Sequence, residues 1–217
     1  MKQPTHDYKY QKHSEKQFLT ILSIAEKLFV ERGIDKVNLT DIAGEYGIMR
    51  STLYRYFRNK EEVLWHIMHR KTLAFFQKLT ERFQSTGGTA FERYKTFVEI
   101  LMEEFSAHAE SFLFIGLFNP IYQNATSLKD NVLYNSIYQS DDFRSGDTVR
   151  FLMENFNDGS LKSSLDPKTT AVAVTYSAMS IVSGMSGQID TLVAKYDTKA
   201  EEVVRISLNA LLESIKA

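Results

Sequence analysis

Residues 40–60 read TDIAGEYGIMRSTLYRYFRNK, and the fold of the chain turns on how this stretch is taken. Ile42, Ala43, Ile48, Leu53 and Phe57 recur at helical spacing around Gly47, which predicts two short helices joined by a glycine turn, a helix-turn-helix. On the second helix the spacing groups Met49, Leu53, Phe57 and the edge of Tyr56 on the inward face. Ser51, Arg55 and Arg58 fall opposite, with Arg50, Thr52 and Tyr54 on the flanks. The first turn of such a helix enters the DNA major groove end-on, so Arg50, Ser51 and Thr52 are the expected base readers, with Arg55 on the same outward side. Tyr54, Tyr56 and Lys60 are better placed for phosphates. Arg50 is the sharpest candidate, because a guanidinium grips guanine through two hydrogen bonds worth about 1 to 3 kcal/mol of discrimination.

Working outward, Ser14 and Gln17 form a capping-box pattern ahead of Phe18, Ile21, Leu22, Ala25, Leu28 and Phe29, and Gly33 closes that first helix. Thr40 is the expected N-cap of the next helix. On the other side Asn59 and Glu62 cap a long amphipathic helix running from Lys60 to about Phe83, ended by Gly87 and Gly88. Thr89 and Glu92 restart the chain as a helix through Phe91, Tyr94, Phe97, Val98, Leu101, Met102 and Phe105, and Pro120 ends the aromatic run that follows. Weaker helical signals lie at Leu128 to Tyr138 and Thr148 to Phe156. Asp166 and Pro167 open an uncharged helix, and Thr198 with Glu201 caps a last one bearing Val204, Leu208, Leu211, Leu212 and Ile215.

The class is therefore all-α, with only 3 prolines and 10 glycines in 217 residues to interrupt it. Residues 1–70 hold 12 Lys and Arg against 9 Asp and Glu, whereas residues 71–217 hold 14 against 18. A basic front on an acidic body suits a polyanion at the front alone, and the eleven residues from Arg50 to Lys60 contain no acid. The absence of cysteine removes disulfides and thiolate chemistry and fits a reducing cytoplasm. The first residues lack the apolar run of a signal peptide. The uncharged stretch between Lys168 and Asp190 is long enough to test as a membrane span, but its Ser, Thr and Gly content predicts a closely packed helix away from lipid.

The segment Phe18 to Leu64 resembles the N-terminal DNA-binding domain of the tetracycline-repressor (TetR) family of bacterial transcriptional regulators. The resemblance rests on Phe29-x-x-x-Gly33, Thr40-x-Ile42-Ala43, Gly47-Ile48, Thr52-Leu53-Tyr54-x-Tyr56-Phe57 and Asn59-Lys60-Glu61-Glu62-x-Leu64. It implies a homodimer that binds a double-stranded, palindromic DNA operator, usually as a repressor, and that a small-molecule effector releases. By position it implies phosphate contacts from Thr40, Tyr54, Tyr56 and Lys60 and base contacts from Arg50, Ser51 and Thr52. Three positions depart from the family's habits: Tyr46 replaces a small residue, Met49 replaces the serine that caps the recognition helix, and Tyr56 replaces a frequent histidine.

The expected organisation is a tail at 1–13 that could act as a basic arm, a three-helix DNA-binding domain at 14–59, and a larger helical ligand-binding and dimerisation domain at 60–217. In the last of these, Ala173, Ser177, Ser180, Gly184 and Gly187 form a small-residue stripe that lets another helix approach closely. Packing within one subunit is the lesser alternative for the stripe, and the resemblance implies pairing of the last two helices with their copies. Aromatics concentrate between Phe105 and Phe156. As residues they read as core; with the resemblance they read as a pocket for a largely apolar or aromatic effector, its candidate lining Phe105, Phe112, Phe118, Tyr122, Tyr138, Phe151 and Tyr176. Glu103, Glu104 and Glu154 could pair with a cationic ligand. Two competing readings are a ligand- or protein-binding relative without operator function, which intact Arg50, Tyr54 and Lys60 argue against, and a metal-dependent enzyme using Glu62, His66 and His69. The latter lacks a further ligand, so no enzyme activity, metal or cofactor is expected.

Overall fold

The computed structural model describes residues 6–122 and 148–217, and these are helical as the class reading requires. The expected signal at Leu128 to Tyr138 lies outside the described residues. Two compact units result, one ending at Arg70 and the other beginning at Lys71.

The first unit contains α1 (His6–Arg32), α2 (Leu39–Tyr46), α3 (Arg50–Leu53) and the opening turns of α4 (Lys60–Thr86). Helix α1 starts ahead of the Ser14 capping pattern, so residues 6–13 are helical where a tail is expected. Its apolar stripe, Ile21, Leu22, Ala25, Leu28 and Phe29, is buried with Val37, Ile42, Ala43, Leu53, Phe57, Val63 and Leu64. Val63 and Leu64 are why this unit continues past residue 59: the first turns of α4 are part of its core. Gly33 ends α1 with φ 88°, a left-handed value that its missing Cβ permits, and its N–H reaches the Phe29 carbonyl at 2.9 Å.

The cap of α2 is Asn38, not Thr40. Asn38 Oδ1 accepts from the N–H groups of Thr40 (2.8 Å) and Asp41 (3.2 Å), and Asp41 Oδ2 accepts from Asn38 N–H (2.8 Å), closing a reciprocal capping box. The helix begins at Leu39, which puts Thr40 inside its first turn.

The second unit contains the rest of α4, α5 (Ala90–Tyr122), α6 (Thr148–Met153), α7 (Pro167–Ser186), α8 (Ile189–Tyr196) and α9 (Ala200–Ile215). Helix α5 kinks at His108 (φ −147°, ψ 51°) and carries Pro120 inside its last turn rather than ending before it. Helix α7 starts as its sequence dictates, with Asp166 accepting from Thr169 N–H at 2.8 Å and Pro167 leading. Its Thr170, Ala171, Val174, Ala178, Val182 and Ser186 are buried, and a methyl placed on Gly116 of α5 would sit 3.4 Å from Ser183 Cβ, a close helix approach. The small-residue stripe falls on the other face, where Ala173, Ser177, Ser180, Gly184 and Gly187 are exposed.

The uncharged stretch is broken at Gly187, and α8 follows as a separate short helix. Among the described residues no helix is long and apolar enough to cross a membrane. In α9, Val204, Leu208, Leu212 and Ile215 are buried in this subunit's own core, so the large apolar stripe is not the face left for a partner. Lys199 rather than Thr198 stands at the α9 N-cap, and the Thr198 hydroxyl instead donates to the Tyr196 carbonyl at 3.0 Å.

The far ends of this unit are tied by a short segment. Asp158 Oδ2 accepts from Ala90 N–H (2.7 Å) and Ser160 Oγ from Phe91 N–H (2.9 Å), capping α5 from a distant loop. The same segment bridges Leu161 to Lys216 in antiparallel fashion, with Lys162 N–H donating to the Ile215 carbonyl at 3.0 Å.

Candidate nucleic-acid interface

The second helix of the motif sits on a small aromatic core. Leu53 and Phe57 are fully buried, and Phe57 stacks on Phe18 of α1 with centroids 5.0 Å apart and meets the His66 edge at 5.9 Å. Burial lowers the His66 pKa, partly offset by Glu62. Met49, expected on this inward face, is 78% exposed. It occupies the N-cap of α3 with extended backbone (φ −66°, ψ 143°) and makes no side-chain cap bond, as a thioether in place of a serine hydroxyl would leave it.

Helix α3 is also shorter than its sequence pattern suggests. After Leu53 the chain continues as tight turns, with Tyr56 N–H donating to the Leu53 carbonyl at 2.9 Å, and a new start follows at once. That start is set by Asn59 Oδ1, which accepts from Glu62 N–H at 2.8 Å, while Glu62 Oε2 accepts from Arg58 N–H at 2.5 Å.

Around this core the candidate DNA-binding residues divide. Thr40, Arg50, Ser51, Tyr54 and Arg55 are exposed, and Thr52 is half-buried. Arg50 Nη2 donates to Tyr54 Oη at 2.8 Å, and its guanidinium carbon lies 5.2 Å from the Tyr54 ring centroid. Tyr56 is half-buried, and its hydroxyl donates to Gln17 Oε1 of α1 at 2.6 Å. A phenol has one hydrogen to give, so Tyr56 in this arrangement ties the end of the motif to α1 and has none left for a phosphate. Lys60 Nζ donates to the Ile34 carbonyl at 2.8 Å and retains two further ammonium hydrogens. Gln17 and Ile34 carry no signal for these roles in the sequence, since their partners lie 39 and 26 residues away. Asn38 does carry one, the Asn38-x-x-Asp41 capping pattern.

The candidate effector residues scatter among the described residues. Phe105 and Phe112 pack at 6.1 Å, Phe118 stacks with Phe114 at 6.0 Å, and Phe151 meets the Phe83 ring edge-on at 5.3 Å. Tyr176 is 63% exposed on α7, while the Tyr122 side chain and Tyr138 lie outside the described residues. Two surface clefts of about 330 Å³ each include one of the set: Phe105 beside Met102, Ser106 and Val204, and Phe151 beside Phe76, Phe83 and Arg93. The three acids singled out for a cationic ligand have partners within the subunit. Glu103 forks with Arg82 at 2.8 Å, which holds its carboxyl below the usual range; Glu104 pairs with Lys78, and Glu154 pairs with Arg93 at 2.9 Å. Glu62 serves the α4 start, and His66 sits between Phe18 and Phe57.

With this geometry in hand, comparison with known proteins gives a consistent result. Residues 21–67 match the profile of bacterial regulatory proteins, tetR family. NemR, an HTH-type transcriptional repressor of Escherichia coli (strain K12), is 27% identical over 100 residues, which cover 46% of this chain and 49% of NemR. The chain thus spans about half the length of that relative. Among solved structures, the fatty acid degradation regulator FadR from Bacillus halodurans superposes with a TM-score of 0.65 at 19% identity, covering 90% of this chain and 94% of FadR. A SmeT–triclosan complex gives 0.59 at 21% identity, covering 92% and 91%. At such identities the superpositions speak to the fold, which is shared along nearly the whole length. The helix-turn-helix segment, residues 21–67, is thus similar to the bacterial regulatory proteins of the tetR family, and the fold of the whole chain is shared with the solved structures.

Proposed function

We propose that this chain is a ligand-responsive transcriptional regulator, a repressor that binds a palindromic operator as a homodimer and leaves it when a small, largely apolar or aromatic effector binds the second unit. The observation that carries the reading is the acid-free surface from Arg50 to Lys60, with Arg50, Ser51, Tyr54 and Arg55 exposed above a core closed by Leu53 and Phe57. Arg50, Ser51 and Thr52 read bases, while Thr40, Tyr54, Arg55 and Lys60 hold the backbone. The repressor sense is supported by NemR, and the effector class by SmeT, whose structure was solved with triclosan.

A second copy is the partner that suits α7. Its exposed face combines the small-residue stripe with Val172 and Tyr176, and Ile206 is 60% exposed on α9. Release follows as a population shift: effector in the second unit favours a separation of the two α3 helices that no longer matches successive major grooves, about 34 to 36 Å apart. Helix α4 contributes residues to both units and is the element through which that shift would pass.

Selection of randomised duplexes by the purified full-length protein tests the reading. It should return a palindromic site whose affinity falls steeply with salt. No enrichment at low salt would overturn operator binding and leave a ligand- or protein-binding module.

A further inference from the structure

Arg50 and Tyr54 are four residues apart on one face of the α3 segment and are joined by a side-chain bond, Nη2 to Oη at 2.8 Å, on an exposed surface. A guanidinium can grip a base edge by either of two forks, one made by Nη1–H and Nη2–H, the other by Nε–H and Nη2–H. Each fork uses a different hydrogen of Nη2. A bond from Nη2 to Tyr54 occupies one of those hydrogens, so one fork is disabled and the other is left complete. The same bond fixes a side chain that otherwise samples many rotamers. The tyrosine side is compatible with this role, because its oxygen accepts from Arg50 while its own hydrogen remains available, and accepting from a cation strengthens that donor toward a phosphate.

From this clasp we infer that Tyr54 determines specificity as well as contacting the backbone: its hydroxyl selects the edge by which Arg50 reads its base. The inference rests on the operator-binding reading above. A tyrosine that only held a phosphate would contribute equally to every sequence, whereas one that orients Arg50 contributes at a single base pair.

The experiment uses the full-length protein, its Y54F, R50A and R50K variants and the R50A/Y54F double variant, each put through duplex selection. Affinities are then measured on the selected site and its single-base variants at two salt concentrations. Tyr54→Phe keeps the ring beneath the guanidinium and removes only the hydroxyl, and matching thermal unfolding of Y54F and the parent controls for folding. Expected is a loss of about fivefold or more in discrimination at the base pair where R50A loses it. Other positions should keep their preferences, and the double variant should show no further loss of discrimination. R50K keeps the charge but replaces the planar fork by a freely rotating ammonium, which a bond to Tyr54 cannot hold to one edge, so its preference at that base pair should be weaker than the parent's. Uniform weakening of all duplexes by Y54F, with base preference intact, would overturn the inference and leave the regulator reading standing. A parent protein that selects no site would overturn that reading itself. If Y54F proves unstable, Y54L, which also lacks the hydroxyl at this exposed position, goes through the same selection, with the same loss expected and an intact base preference again overturning the inference.

Discussion

Replacing Phe57 by alanine should disable the proposed DNA-binding surface without touching any residue on it. Phe57 is fully buried, stacks on Phe18 at 5.0 Å and meets His66 at 5.9 Å. Deleting such a ring costs about 3 to 5 kcal/mol. A unit ending at Arg70 has roughly 3 to 10 kcal/mol in total if it follows the common range per residue. Phe57→Ala therefore removes between a third and all of the stability that holds Arg50 and Tyr54 in place. The readout is amide hydrogen exchange in the full-length protein: the N–H groups of Ile42 and Ile48, bonded to the Asn38 and Ala43 carbonyls, should lose about two to three and a half orders of magnitude of protection. Operator affinity should fall in proportion to the fraction of competent molecules. Phe57→Leu keeps most of the apolar volume and should cost only about 1 to 2 kcal/mol. If Ala and Leu behaved alike, or protection changed less than tenfold, the claim that this ring organises the unit would be wrong.

Asn38→Ala should lower the stability of the first unit by about 1 kcal/mol, whereas Thr40→Ala should lie within about 0.5 kcal/mol of the parent; urea unfolding of the two variants separates the real cap from the apparent one. The depressed pKa of His66 means that folding favours its neutral form. The stability it confers is complete above the unfolded value near 6.5 and declines as pH falls below it, since the unfolded chain takes up the proton first. An unfolding series across that range should show the decline in the parent and lose part of it in His66→Phe. In the second unit, Leu208→Ala should cost about 2 to 5 kcal/mol and Ile206→Ala no more than about 0.5 in the monomer, a contrast readable from chemical denaturation at low protein concentration.

Most of the architecture was legible because it is written in local periodicity. The α1 stripe, the Gly33 and Gly47 turns, the Asn59 and Asp166 caps and the buried face of α9 all depend on residues within a turn or two of one another. What the sequence did not disclose falls into two physical kinds. One is competition between near-equivalent local signals: Asn38 and Thr40 both offer an oxygen, and the reciprocal bond that the Asp41 carboxylate accepts from Asn38 N–H favours Asn38. Met49 similarly satisfies the helical pattern for an inward residue, but its extended N-cap backbone turns it out to 78% exposure. The other is long-range pairing. Nothing near Tyr56 announces Gln17, and nothing near Lys60 announces the Ile34 carbonyl, so their intramolecular bonds could only come from the assembled unit. The packing of the candidate effector residues is of the same long-range kind: Phe151 meets Phe83, 68 residues away, while Phe112 packs on Phe105 within α5.

The segment from Asp158 to Lys162 has a consequence for how the second unit comes apart. Helix α5 takes its first N–H acceptors from 68 and 69 residues downstream, and the same five residues grip the end of α9 through Leu161 and Lys162. Two helices distant in sequence are therefore knotted at one point, and the knot closes only after a long loop has been brought round, which places it late in folding. Loosening it frees both helix ends together. The amides of Ala90, Phe91 and Lys162 should accordingly exchange as one cooperative group, although no pair across that group is bonded to another.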